Sequence, residues 1–158
     1  MTVDLDADAT GTTAVIERVV GHLPDVAIAL DAAHRAAWDA VESRLLELCR
    51  VRAAQLIGCE AEAEARTPGC GLAADDYAHI AQWPTAACFD ARDRAVLAWC
   101  EHYVIDVASL TDEQVENVKR FLGDDGVVDL TNAFLVIEQR QRLRTLWERL
   151  GLGRGDRS

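Results

Sequence analysis

A single cysteine, Cys59, follows a glycine and opens a segment in which glutamate alternates with alanine up to Arg66. A thiolate can attack the O–O bond of a peroxide if a helix N-terminus or a neighbouring base lowers the pKa of the thiol. Gly58 predicts a helix start at Cys59, where the helix dipole favours the thiolate. The carboxylates of Glu60 and Glu62 oppose it, because nearby anions disfavour a second negative charge. The segment therefore supplies a nucleophile whose acidic neighbours work against its activation.

Glu62 and Arg66 have the spacing of a helical ion pair. A glutamate four residues before an arginine is the favourable orientation for such a pair. The 100° step of a helix places Glu60 and Glu64 on the side opposite Glu62. Glu62 and Arg66 are therefore expected to form a salt bridge that closes the site. If they line a cavity instead, Arg66 can bind an anionic substrate and Glu62 can transfer a proton.

The cysteines offer Cys59 no suitable disulfide partner. Cys70 follows it by eleven residues, but a helix from Cys59 to Arg66 would hold the two sulfurs roughly 12 Å or more apart by its rise, too far for a disulfide. An odd number of cysteines without metal-ligand spacing predicts reduced thiols, no zinc site and no bound metal or cofactor. The five are Cys49, Cys59, Cys70, Cys88 and Cys100.

Apolar residues recur at helical rather than alternating spacing, which predicts an all-α fold of about seven helices and no strand. Asp90 is expected to cap one helix, and Thr111 with Gln114 forms a capping box for another, which Gly123 closes. No repeat or linker divides the chain. We expect a flexible N-terminus at 1–12, one domain at 13–151, and a flexible C-terminus at 152–158.

The composition excludes several classes of partner. The 158 residues carry a net charge of −11, which argues against nucleic acid and against an anionic membrane surface. The first residues show no secretion signal and no apolar run is long enough to span a bilayer, so a cytoplasmic protein is expected. Leu135 and Val136 widen the apolar stripe of the last helix, which predicts a homo-oligomer. The stripe itself consists of Val127, Leu130, Phe134, Ile137, Leu143, Leu146 and Leu150.

The order and spacing of several segments resemble the alkylhydroperoxidase AhpD-like / carboxymuconolactone decarboxylase family over about residues 20–147. That family shows the pattern R-x-A-Q-x-N-G-C-x-x-C-x-x-x-H, with a glutamate upstream. The segments "AQWPTAACFDARDRAVLAWCEHY" and "VVDLTNAFLVIEQRQRL" resemble its tryptophan-containing segment and its closing helix. The positions that match the first pattern are Glu47, Arg52, Ala54, Gln55, Gly58 and Cys59. The resemblance implies an AhpD-like helical bundle and thiol-dependent hydroperoxide reduction, with Glu47 in a proton relay.

This chain departs from the family pattern at the positions of the reactive residues. The second cysteine, the histidine and the asparagine before the glycine are replaced by Glu62, Arg66 and Ile57. In the closing helix Glu138 and Gln141 stand at the two asparagine positions, and the arginine is kept as Arg142. Because Glu62 cannot form a disulfide, the full dithiol cycle is not available.

Three alternatives follow from the altered motif. The protein can be a weak or inactive relative of the dithiol peroxidases, with its site sealed and a non-catalytic oligomeric binding role. It can be an acid/base enzyme, decarboxylase- or isomerase-like, that acts on a small anionic metabolite with Glu47, Glu62 and Arg66. It can also use Cys59 alone in a redox reaction.

Overall fold

Residues 11–152, which the computed structural model describes, contain seven α-helices, two short 3-10 turns and no β-strand. The all-α prediction is therefore confirmed. The helices are α1 (Thr12–Val20), α2 (Pro24–Ala40), α3 (Ser43–Ile57), α4 (Glu60–Glu64), α5 (Ala74–His79), α6 (Ala91–Ile105) and α7 (Asp112–Arg149). Most of the predicted flexible ends, residues 1–10 and 153–158, lies outside the described residues. Thr12, which the prediction placed in the N-terminal segment, is the first residue of α1 and is fully buried.

The predicted helix signals act as expected. The Asp90 carboxylate accepts a hydrogen bond of 2.8 Å from the main-chain N–H of Asp93 at the start of α6. Thr111 and Gln114 form the capping box that begins α7. Gly123 interrupts α7 with φ 72° and ψ 174°, a conformation that only glycine adopts easily, and the helix resumes directly after it.

Helix α3 lies at the centre of the bundle and is buried on nearly every side. It packs against α4, α6 and α7. One of its faces joins the main core with Trp99 and Phe134. Another joins a second core with Tyr77 and Phe89. Because most residues of α3 are buried, a polar residue on its inner faces must find its partners inside the protein.

Helix α7 contributes to the core and also keeps an exposed apolar face. Leu130, Phe134 and Ile137 are buried, as the predicted stripe requires. Leu135 and Leu146 remain 44% and 51% exposed. Among residues 11–152, none of the helices combines the length and apolarity that crossing a bilayer requires.

Candidate functional site

Two charged residues of α3, Glu47 and Arg50, lie three positions apart and point into the interior. Glu47 is completely buried and Arg50 is 2% exposed. The helix ends at Gly58, whose φ of 78° reverses the chain. Gly58 and Cys59 both donate their main-chain N–H groups to the carbonyl oxygen of Ala54 at 2.9 Å. This turn brings α4 back across α3 and places Cys59 at the N-cap of α4.

The guanidinium of Arg50 is fully paired. Its Nε and Nη2 donate to the two carboxylate oxygens of Glu47 at 2.6 and 2.8 Å. Its Nη1 donates to the Glu62 carboxylate at 2.9 Å and to the Glu62 carbonyl at 2.6 Å. Nη2 also donates to the carbonyl of Ala65 at 3.0 Å. An arginine has five N–H donors, so no donor of Arg50 is left for a ligand.

Glu47 receives three further hydrogen bonds. The main-chain N–H and the hydroxyl of Thr67 donate to it at 3.1 and 2.8 Å, and the Tyr77 hydroxyl donates at 2.8 Å. Burial alone would raise the pKa of Glu47, but the hydrogen bonds and charge of Arg50, with Tyr77 and Thr67, hold that pKa below its usual value. Glu47 is therefore an ionised carboxylate at neutral pH.

Glu62 lies on the inner side of α4 and is 4% exposed, whereas Glu60 and Glu64 face solvent, as predicted. The Thr12 hydroxyl donates to its second carboxylate oxygen. The same hydroxyl accepts a 2.8 Å hydrogen bond from Arg144 of α7. Thr12 thus links the carboxylate of Glu62 to a second buried cation.

Five side chains joined by hydrogen bonds form the buried network: Glu47, Arg50, Glu62, Thr12 and Arg144. Arg50 pairs with both carboxylates directly. Arg144 reaches the network through Thr12 and also pairs with Glu148 at 2.9 Å. Removing one partner of a buried ion pair is strongly destabilising, whereas the intact pair adds little net stability over an apolar core. The network is therefore a coupled unit in which each member depends on the others.

The predicted ion pair between Glu62 and Arg66 is wrong. Helix α4 ends at Glu64, and Ala65 is extended with ψ 152°. The i, i+4 geometry that the prediction assumed is therefore absent, and Arg50 takes the place of Arg66. Arg66 is exposed and donates to the carbonyls of residues 63, 64 and 65 at 2.7–3.1 Å. Its guanidinium also stacks 4.2 Å from the centre of the Tyr77 ring.

Cys59 lies beside the buried network and is only 2% exposed. Burial raises the pKa of its thiol, and the negative charge of Glu62 raises it further. Contacts with the Thr145 hydroxyl and the Glu62 backbone and the charge of Arg144 lower the pKa but do not reverse the increase. The sequence suggested that the dipole of α4 would lower the pKa of the Cys59 thiol. This dipole does not overcome the effect of burial, because α4 has only five residues.

Cys70 does not serve as a partner for Cys59. Both are free thiols, like the other three cysteines. Cys70 belongs to the second core, where its sulfur lies 3.2 Å from the Tyr77 hydroxyl. Because that hydroxyl donates to Glu47, the Cys70 thiol acts as the donor to Tyr77. The two thiols are therefore not joined in this structure, and Cys70 is held by a different partner.

Other residues that carry the family resemblance are also paired within the fold. Arg52 contacts Glu101 at 2.6 Å and Gln55 at 3.0 Å, and the indole of Trp83 donates to Glu101 at 2.8 Å. In α7, Gln141 donates at 2.8 Å to the main-chain oxygen of Arg50 and so holds α7 against the buried network. These contacts connect three segments that are distant in the sequence.

The sequence reasoning missed Arg50, Thr12, Thr67, Tyr77 and Arg144. The sequence does contain a signal for Arg50, since it follows Glu47 by three residues on the same helix. The sequence contains no such signal for Thr12 or Arg144, because both reach Glu62 only through the packing of α1 and α7.

Comparisons with known proteins support the fold. No protein-family model matches the chain, and its sequence matches no curated protein. It is similar to the crystal structure of a protein of unknown function from Agrobacterium tumefaciens, described as a candidate AhpD antioxidant defence protein. The TM-score is 0.69 at 19% sequence identity, and the match covers 82% of this chain and 92% of the other. The chain therefore has an AhpD-like helical fold.

Proposed function

We propose that the protein is a relative of the thiol-dependent hydroperoxide reductases whose dithiol site has become a closed structural ion-pair network. The observation that carries this proposal is the pairing of Arg50, all of whose donors go to Glu47, Glu62 and two main-chain oxygens. A network with no spare donor and little solvent access offers no place for a reacting group to bind.

The residues for peroxide reduction by two thiols are incomplete. Reduction of a peroxide leaves one sulfur as a sulfenic acid, and a second thiol must then condense with it to give a disulfide and water. The position of the second thiol is occupied by Glu62, which is held by Arg50. The raised pKa of Cys59 also reduces the fraction of thiolate that could begin the reaction.

An acid/base reaction on an anionic metabolite has less support. A general acid or base works best when its pKa lies near the working pH, and the pKa of Glu47 is lowered. Arg66, the expected anchor for the anion, lies on the surface and faces Tyr77. The carboxylates and Arg66 therefore do not form one binding site, and a non-catalytic role fits the geometry better.

The test is hydroperoxide consumption with a small dithiol as reductant. We expect the wild-type protein to consume hydroperoxide no faster than Cys59→Ser. Cys88→Ser is the matched control, because Cys88 is the half-buried cysteine among the five and lies outside the buried network. Sustained consumption that disappears in Cys59→Ser and persists in Cys88→Ser would refute the proposal.

We further propose that the protein is a homo-oligomer that acts in the cytoplasm, where its five thiols stay reduced. The exposed face of α7 supports the first part: Leu135 and Leu146 are eleven residues apart, about three helical turns, and so share one side of the helix. Leu150 extends the same side and is 62% exposed.

Mass measurement by light scattering tests the oligomer. The wild type is expected to have a multiple of the monomer mass, and Leu135→Glu with Leu146→Glu is expected to reduce it. Leu23→Glu, on an exposed leucine outside α7, is the control and should leave the mass unchanged. A monomeric wild type, or an unchanged mass in the α7 variant, would contradict the proposal.

A further inference from the structure

A second cluster of reactive side chains lies on the outer side of α5, apart from the buried network. Asp75 and His79 are one turn apart on α5, and Cys88 approaches them from the loop before α6. Each residue offers one ligand atom, and these three atoms all lie within 4.8 Å of one another. They are a carboxylate oxygen, an imidazole nitrogen and a thiol sulfur. The imidazole Nδ1 of His79 lies 3.3 Å from the Asp75 carboxylate and 2.8 Å from the main-chain oxygen of the same residue.

Hydrogen bonds on the inner side of α5 fix the helix and so position Asp75 and His79 on its outer side. Asp76 accepts hydrogen bonds of 3.0 Å from Arg44 and 2.9 Å from the main-chain N–H of Ala73. The next residue, Tyr77, donates to Glu47 in the interior. Asp75 and His79 consequently project from a short helix whose orientation is fixed by buried contacts.

The loop that carries Cys88 is anchored as well. The guanidinium of Arg94 donates to the carbonyl of Phe89 at 2.8 Å and to the carbonyl of Ala86. Phe89 is buried in the second core, and Cys88 packs against that core while remaining half-buried. Cys88 is therefore both held in place and open to a small solute.

We propose that Asp75, His79 and Cys88 form a site for one divalent d-block cation of the zinc type. Thiolate, imidazole and carboxylate are the three ligand classes that zinc uses in proteins. Metal–ligand lengths of about 2.0–2.3 Å put the ligand atoms of a tetrahedral site roughly 3.3–3.8 Å apart, so each side chain needs to move by only about 1 Å. The fourth position is left to water or to an external ligand.

The ligand set excludes magnesium and calcium as preferred ions. Those ions take oxygen ligands, whereas a thiolate and an imidazole favour softer metals. On binding, the thiol of Cys88 loses its proton to solvent and the sulfur is bound as thiolate. No metal was predicted from the sequence, because Asp75, His79 and Cys88 do not form a recognised short motif: eight residues lie between His79 and Cys88.

Cobalt(II) spectroscopy is the most direct test, because a cobalt–thiolate bond gives a charge-transfer band in the near-ultraviolet and a tetrahedral site gives intense visible bands. Cobalt(II) titrated into the full chain is expected to produce both signals at one ion per chain. Cys88→Ser should abolish the charge-transfer band. His79→Gln and Asp75→Asn should each weaken binding by at least about tenfold.

Two control variants separate this site from other residues of the same type. Cys59→Ser and His102→Gln should retain the full cobalt signal, since neither residue belongs to the cluster. Circular dichroism should show the three site variants folded, because Asp75 and His79 are exposed and Cys88 is only half-buried. A charge-transfer band that survives in Cys88→Ser, or no cobalt binding by the wild type, would overturn the proposal.

Calorimetry with zinc and with magnesium gives an independent measurement. Zinc should bind at least about a hundredfold more tightly than magnesium, from the preference of sulfur and nitrogen ligands. Repeating the zinc titration in buffers of different ionisation enthalpy should show proton release that disappears in Cys88→Ser. Equal affinity for the two ions would contradict a thiolate–imidazole site.

Discussion

Replacing Arg50 by methionine tests the buried network at its centre. Methionine is unbranched and apolar, so it fills much of the same space while it removes the charge and all five N–H donors. Glu47 keeps its hydrogen bonds from Thr67 and Tyr77, and Glu62 keeps the hydroxyl of Thr12. Both carboxylates then lack the cation that balances them.

The expected loss of stability is large. Breaking a buried ion pair by removing one partner costs about 3–5 kcal/mol, and Arg50 is the partner of two carboxylates rather than one. A domain of this size is stable by about 5–15 kcal/mol. The Arg50→Met variant is therefore expected to lose at least about 3 kcal/mol and to unfold at a much lower urea concentration.

The variant should also change the pH dependence of stability. In the wild type the pKa of Glu47 is below its unfolded value, so this group contributes stability above the unfolded pKa and loses it as the pH falls through the folded pKa. Burial is the largest single influence on this carboxyl, and it raises the pKa. Without Arg50 the folded pKa is expected above the unfolded value, so stability should instead fall as the pH rises above about 4.5 towards neutrality.

Urea unfolding followed by circular dichroism at several pH values between 4 and 8 measures both effects. Arg66→Met is the matched control, because Arg66 is exposed and its stacking on Tyr77 is worth about 0.5–1 kcal/mol. Adding Glu47→Gln and Glu62→Gln to Arg50→Met should restore part of the stability, since neither carboxylate is then left as a buried charge without a direct cation partner. A loss for Arg50→Met no larger than for Arg66→Met would refute the argument.

Three further predictions concern the surroundings of the network. Gly58→Ala should destabilise the fold by about 1–2 kcal/mol, because φ is 78° there while the added Cβ would meet no heavy atom within 4 Å. Urea unfolding measures the change, and a stability equal to that of the wild type would contradict it. Thr12→Val should cost about 1–3 kcal/mol by removing the hydroxyl between Glu62 and Arg144, and a stability equal to the wild type would show that the hydroxyl is dispensable. Iodoacetamide followed by mass spectrometry should label Cys88 first in the folded protein; rapid labelling of Cys59 at neutral pH would contradict its burial and raised pKa.

Much of the fold could be predicted from local signals. Asp90, Thr111 with Gln114, and Gly123 act at the positions where the sequence placed them, because caps and glycine conformations depend on a few neighbouring residues. The end of α4 was less predictable. Residues Cys59 to Arg66 are strong helix formers, yet the helix stops at Glu64, where the main-chain oxygens of Glu62 and Ala65 bind Arg50.

The site was predicted in part. Glu47 and Glu62, two of the predicted site residues, are both buried, but Arg50 and not Arg66 pairs with them. The error has a physical origin: an i, i+4 rule describes partners on one helix, and it cannot reveal a cation on a neighbouring helix. The cluster of Asp75, His79 and Cys88 could not be predicted from sequence spacing for the same reason. Cys88 reaches α5 from a separate loop, which Arg94 anchors.

A carboxyl titration of Glu47 by carbon-13 NMR tests the central claim that Glu47, Arg50 and Glu62 form a closed ion-pair network. The resonance can be assigned by comparison with Glu47→Gln. The network requires Glu47 to stay ionised throughout the neutral range, with a midpoint below the ordinary value of 4.5. A midpoint near neutrality would contradict this account, because it would identify Glu47 as a proton-transferring group and not as a permanently paired anion.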